Sequence, residues 1–176
     1  MNDAEFIGNC STIDWGEVIE TIKNKPGIDS HKYLPKVSEV DEMKKMLKDY
    51  LPSSIEWLNY YPGKDFDNSV VEQFGKFVGY SKVAKCWISR INPGKTAPWH
   101  WDYDTELEEY KRQGELIRFT AKVSPADFGQ VSIIGNTCWH NQKPGDTLQW
   151  KSYDAYHAGT NCGLVPKYQF NYLAVK

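Results

Sequence analysis

The sequence predicts an α+β fold in which helices pack against a β-sandwich or barrel. Three observations predict it. Apolar residues recur at helical spacing through much of residues 1–80, short β-rich runs separated by turn signals fill residues 81–176, and no linker or internal repeat divides the two. At 176 residues, 40% of them hydrophobic, the chain is long enough to bury one core, so a single domain over 1–176 is expected.

The helical elements come first. Asp14 to Lys23 (DWGEVIETIK) places Trp15, Val18, Ile19 and Ile22 on one face. After a loop with Pro26-Gly27 and Pro35, Ser38 is placed to cap SEVDEMKKMLKDYL, where Val40, Met43, Met46, Leu47 and Leu51 repeat at helical spacing. A third helix is expected over Ser69–Val78. From Lys82 the texture changes. Strands are expected at Val83–Ile91, His100–Asp102, Ile117–Val123, Gln130–Ile134, Thr147–Trp150, Ala155–His157 and Tyr168–Val175, punctuated by Pro93-Gly94, Pro125, Gly135-Asn136, Pro144-Gly145 and Gly163.

Two of these strands alternate between apolar and polar residues. Phe119, Ala121 and Val123 oppose Arg118, Thr120 and Lys122; Tyr168, Phe170, Tyr172 and Ala174 oppose Lys167, Gln169, Asn171 and Leu173. The apolar faces suit packing on helices. The polar faces have two readings at this point: solvent, as in half-exposed sheets, or the inside of a small barrel that binds something polar.

Bulk properties exclude some functions. A net charge of −2 provides no basic footprint for nucleic acid, and no apolar run approaches membrane-spanning length. The start, MNDAEFIGNC, lacks a signal-peptide pattern. Cys10, Cys86, Cys138 and Cys162 form no C-x-x-C pair, which fits reduced, buried thiols in a cytoplasm better than a disulfide frame or a zinc site.

The chemistry concentrates in PGKTAPWHWDYD, residues 93–104. On a strand, His100 and Asp102 share a face and make half of a metal site, a paired acid and base, or simply a surface histidine beside a surface aspartate. Among the remaining histidines, His31 lies in the helical part and His140 beside a turn, which leaves His157, in DAYHAGTN, as the third ligand. Two histidines and a carboxylate with open positions form the facial triad of non-haem Fe(II) oxygenases. Such triads commonly bind 2-oxoglutarate, whose far carboxylate needs a cation and a hydroxyl in a dry pocket. Lys167, ten residues after His157 and on the polar face of the last strand, answers the need.

The run ISRINPGKTAPWHWD, then PGDTLQWKSYDAYHAGTN and Lys167, resembles the aspartyl/asparaginyl β-hydroxylase family of Fe(II)/2-oxoglutarate oxygenases. Ser89, Pro93-Gly94 and His100 fit that family's spacing, and the likeness covers about Lys82 to Lys176. The resemblance implies a double-stranded β-helix, a cupin-like jelly roll, over 81–176. It implies Fe(II) on His100, Asp102 and His157, and 2-oxoglutarate held by Lys167 and Ser89, with Arg118 and Thr120 near the cosubstrate. It further implies hydroxylation by dioxygen of an amino acid or a protein residue, with succinate and carbon dioxide as co-products. Lys167 stands where the close family has arginine, and Thr120 where it often has histidine. The loop Tyr103–Leu116 reads as a lid or a solvated charged helix-turn; Asn161 as an orienting amide or a turn former; Trp99, Trp101, Trp139 and Trp150 as pocket walls or core. A cupin metalloenzyme without 2-oxoglutarate and a metal-free cupin-like binding module are the alternative readings.

Overall fold

A computed structural model describes residues 3–30, 48, 50–102, 107–125 and 127–176. The helix expected over Ser38–Leu51 falls almost wholly outside the described residues, as does His31. Among the described residues the order is β1 (Ala4–Asn9), α1 (Trp15–Ile22), β2 (Ile28–Asp29), β3 (Leu58–Tyr60), α2 (Asn68–Val78), β4 (Val83–Ile91), β5 (Lys95–His100), α3 (Leu107–Lys111), β6 (Leu116–Lys122), β7 (Gln130–Ile134), β8 (Thr137–Trp139), β9 (Asp146–Trp150), β10 (His157–Asn161) and β11 (Lys167–Val175).

Each long helix is closed by its own sequence. The Asp14 carboxylate accepts from Glu17 N at 3.0 Å to cap α1, and Asp67 accepts from Ser69 N at 2.7 Å to cap α2. The second helix stops at Gly79, whose φ of 80° is the left-handed turn that favours glycine. None of the described helices is long and apolar enough to cross a membrane.

The strands form a seven-stranded sheet, in the order β1-β9-β6-β11-β4-β3-β2, and a four-stranded sheet, β5-β10-β7-β8. Neighbours within each sheet run antiparallel. From β4 onward the chain alternates between the sheets: β4 large, β5 small, β6 large, β7 and β8 small, β9 large, β10 small, β11 large. That alternation is the double-stranded β-helix, or jelly roll. The first crossing is a tight turn in which Pro93 and Gly94 (φ 75°) are the central residues and Lys95 N donates to Asn92 O at 3.1 Å.

The outer face of the large sheet carries the main core. Phe119, Ala121, Tyr168, Phe170 and Tyr172 pack there against Trp15, Val18 and Ile22 of α1 and Val70 and Phe74 of α2. Phe170 is fully buried and sits 4.9 Å, ring centre to ring centre, from Phe74 and 5.8 Å from Trp15. The polar faces of β6 and β11 therefore turn inward, between the sheets, and Arg118, Thr120, Lys122, Lys167 and Asn171 are all buried.

Several expectations are corrected. The N-terminal part holds three strands besides its helices: β1 extends the large sheet beside β9, and β3 and β2 extend it beside β4. β5 covers residues 95–100 and stops before Asp102, because its pairing with β10 ends at His100 opposite His157. β10 begins at His157 instead of ending there, since Ser152–Ala155 form a turn closed by Ala155 N donating to Ser152 O. Cys10 and Cys86 are buried as expected, but Cys138 and Cys162 are exposed.

Candidate functional site

A cavity of about 490 Å³ lies between the two sheets, with His100, Asp102 and His157 in its wall. The three offer ligand atoms that all lie within 4.8 Å of one another. His100 Nε2 is 3.6 Å from Asp102 Oδ1, and His157 Nε2 is 3.7 Å from Asp102 Oδ2. Local structure aims the rings. β5 carries a bulge between Ala97 and His100, so Pro98 leaves the ladder and its carbonyl accepts from His100 Nδ1 at 2.6 Å. His157, at the head of β10, donates from Nδ1 to Ala155 O at 3.0 Å. With both Nδ1 protons committed to carbonyls, both Nε2 lone pairs face the cavity, as metal-ligating imidazoles do.

Indoles hold the far sides of these rings. Trp57 stacks on His100 at 5.3 Å and 30°, and Trp150 meets His157 edge-on at 4.9 Å and 71°. The Trp150 indole is itself fixed by donating to Thr120 Oγ1 at 2.7 Å. Thr120 does not line the cavity; it acts on the site through that bond.

Arg118 pairs with Asp102 Oδ2 through Nη1 and donates to Asn171 Oδ1 at 3.3 Å through Nη2. Its guanidinium lies 3.8 Å from the Trp150 ring centre and 5.5 Å from that of Trp87. Burial pushes the Asp102 carboxyl upward, but Arg118 and the two imidazoles outweigh it and hold it well below the usual carboxylate range. Burial, followed by His100 and Arg118, pushes His157 well below the ordinary imidazole range, so the ring stays neutral and able to ligate.

Lys167 lies directly behind the cavity wall. Its ammonium donates to Val131 O at 2.6 Å and to Ser132 Oγ at 2.7 Å. It has no carboxylate at ion-pair distance among the described residues. Gly159 lines the cavity in front of it, and a β-carbon there would stand 3.4 Å from the Lys167 nitrogen and 2.9 Å from Ile91 Cδ1. A side chain at Gly159 would crowd Lys167 from the cavity side. The hydroxyl on Lys167 is that of Ser132. Ser89 lines the cavity but is committed elsewhere: it donates to Asn59 Oδ1 at 3.1 Å and accepts from Trp87 Nε1 at 3.0 Å and Asn171 Nδ2 at 3.1 Å.

Sequence reasoning overlooked Trp57, Asn59 and Ser132. Trp57 carries no sequence signal, whereas Ser132 shares a strand face with Gln130 and Ile134. Asn171 and Lys122 lay on the polar faces already singled out. Asn161 is a turn former: its amide donates to Ile91 O and Val165 O, and its oxygen accepts from Gly163 N. His140 is exposed. Of the loop 103–116, residues 103–106 lie outside the described set, and α3 contributes Leu107 to the cavity.

No family model matches the chain, and no curated protein matches it. Solved structures do. The viral collagen prolyl hydroxylase of Paramecium bursaria Chlorella virus-1, in its 2OG complex, is 14% identical over 99% of this chain and 97% of its own, with a TM-score of 0.55. A prolyl hydroxylase from Trichoplax adhaerens, in complex with a hypoxia inducible factor oxygen degradation domain peptide fragment, is 13% identical over 99% of this chain and 84% of its own, with a TM-score of 0.54. At such identities the likeness is one of fold. It leaves the resemblance to aspartyl/asparaginyl β-hydroxylases resting on motif spacing.

Proposed function

We propose that this chain is an Fe(II)- and 2-oxoglutarate-dependent dioxygenase that hydroxylates a C–H bond of an amino acid or of a residue in a peptide or protein. The observation that carries the reading is the pairing, around one cavity, of three convergent ligand groups with a buried lysine that has no carboxylate partner among the described residues. Burial without an anion holds such a lysine towards its neutral form, and an arriving carboxylate would restore its charge and give it a partner, which favours an anionic ligand there.

The donor set fits iron: two imidazoles and one carboxylate, with Nδ1 protons engaged and no thiolate among them. When bound, iron and cosubstrate would supply the chemistry, coupling decarboxylation to succinate and carbon dioxide with hydroxyl transfer to the substrate. The protein does the rest. His100 and His157 would hold the metal through Nε2, and Asp102 through Oδ1, its other oxygen being restrained by Arg118. Lys167, steadied by Ser132, would receive the far carboxylate past Gly159. Ser89 and Arg118 border the space the cosubstrate would fill, while Trp57, Trp87 and Trp150 would keep water from it. A peptide or amino-acid substrate is supported by the fold shared with prolyl hydroxylases, one of them in complex with a peptide fragment.

The test is spectroscopic and needs no substrate. Fe(II) is added anaerobically to the apo-protein, then 2-oxoglutarate, and the weak visible charge-transfer band of the chelated keto acid is sought. The expected band disappears in His157→Ala and weakens in Lys167→Ala. Bound Fe(II) with no band would redirect the reading to a cupin enzyme that does not use 2-oxoglutarate. Absence of metal binding would end it.

A further inference from the structure

Lys167 is not the sole buried lysine on the inward face of the large sheet. Lys122, on the inward face of β6, is 4% exposed, and Lys167, on the inward face of β11, is 3% exposed. Lys122 pairs in register with Gln169, which makes it the diagonal cross-strand neighbour of Lys167, with β-carbons about 7–8 Å apart or less. Lys122 donates to Gln130 Oε1 at 2.6 Å, and Ser132 bridges Lys167 to Gln169 Oε1 at 3.2 Å. Among the described residues neither ammonium reaches a carboxylate at ion-pair distance. Asp127 acts on Lys122 from an exposed loop, where it accepts from Leu164 N and Val165 N. The titratable groups facing Lys167 are Lys122 from β6 and Cys138 from β8. β4, β7 and β10 meet it with Ile91, Val131, Ser132 and Gly159, none of which titrates.

We propose that Lys122 and Lys167 together form a two-lysine pocket for the far carboxylate of a dicarboxylic keto acid, and that docking of that carboxylate draws about one proton from solvent. The inference rests on the dioxygenase reading and deepens it, since it makes Lys122 a specificity residue and couples cosubstrate binding to pH. Two adjacent buried ammonium groups cannot both stay charged while the pocket is empty. Burial, then Lys122, pushes Lys167 well below the ordinary lysine range, and burial pushes Lys122 down to about 8. An arriving carboxylate reverses the balance, because it favours the charged form of whichever lysine is neutral. Protonation and docking are therefore linked, and binding weakens as pH rises.

The experiment is calorimetry of 2-oxoglutarate on the full chain with Mn(II) in place of Fe(II), at pH 8, in buffers of different ionisation enthalpy. 2-Oxobutyrate, which has the same keto-acid head and no far carboxylate, is the comparison. The expected result is uptake of about half to one proton for 2-oxoglutarate and none for 2-oxobutyrate, with 2-oxoglutarate affinity falling towards about tenfold per pH unit above pH 8. In Lys122→Met the uptake should fall, because Lys122 no longer gains a proton on docking and Lys167 loses the like charge that adds to burial in holding it neutral. Binding of 2-oxoglutarate with no proton uptake at pH 8, near which Lys122 titrates, or above it overturns this inference and leaves the dioxygenase reading standing. Unchanged uptake in Lys122→Met overturns the role of Lys122. If neither keto acid binds the Mn(II) protein, both readings fall together.

Discussion

Replacing Arg118 with methionine tests whether the Asp102 carboxylate is held by a cation of the protein itself. Arg118 is 2% exposed, and its ion pair with Asp102 and its bond to Asn171 would both be lost. Breaking a buried pair from one side costs roughly 3–5 kcal/mol. The Asp102 side chain is 30% exposed, which places the loss near the lower end of that range. The orphaned Asn171 oxygen adds about 1 kcal/mol, and methionine packed between Trp150 and Trp87 returns a similar amount. The net expectation is about 3 kcal/mol, or a melting temperature lower by about 6–12 °C for a domain of this size. Thermal melts in EDTA should show that gap, and saturating Mn(II) should narrow it by about half, since the metal supplies the variant's Asp102 with the cation it lacks. A variant within about 2 °C of the parent in EDTA, or a gap that Mn(II) leaves unchanged, would refute the coupling of Arg118 to Asp102.

The remaining predictions are narrower. Phe170→Ala should lose about 3–5 kcal/mol in urea unfolding, since Phe170 is fully buried among Trp15, Phe66 and Phe74; a loss under about 1 kcal/mol would mean that the helices do not dock on this face. Gly159→Val should weaken 2-oxoglutarate at least about tenfold, a cost of about 1.4 kcal/mol, and leave Mn(II) affinity nearly unchanged; the opposite pattern would remove Gly159 as the path to Lys167. Lys122 gives a pH signature. Its folded value of about 8 lies below the ordinary lysine value of about 10.4, so between these limits the unfolded chain binds more protons and stability rises with pH. The penalty, roughly 3 kcal/mol, is fully present below pH 8, so the stability advantage of Lys122→Met should shrink as pH climbs to 10; an advantage independent of pH would refute it.

How much of this was legible in the sequence depends on whether a residue's neighbours are local. α1 and α2 were readable because their caps and apolar faces lie within a few residues of one another. The alternation in β6 and β11 was equally plain, although it could not say whether the polar side met water or an enclosed space. That was settled by the apolar side, which is covered by the two helices. β1, β2 and β3 were missed because they join the edges of the large sheet: β2 and β3 are two and three residues long, and β1 buries mainly Ala4. The three side chains that converge were picked out by residue type and spacing, but their geometry was misread. Asp102 shares the site by following the end of β5, not by sharing a strand face with His100. Ser132 and Trp57 reach the site only through cross-sheet packing, which nothing in their own neighbourhoods announces.

The interior polar residues divide into two kinds, and the division is itself an argument about function. Around Asp102 the partners close on one another: Arg118 takes the carboxylate, Asn171 takes Arg118 and Ser89, Ser89 donates to Asn59, and Asn59 donates to Ser30 at 2.6 Å. Such a chain holds its members in place without any ligand. Around Lys167 the partners are neutral: a carbonyl, a hydroxyl and, behind them, a second lysine. Hydrogen bonds there are satisfied but no anion is at hand, and burial disfavours the charged forms of both lysines. A packed core has no reason to keep two lysines in that condition. The proposed carboxylate pocket supplies one, and Gly159 is the residue that would let the carboxylate in.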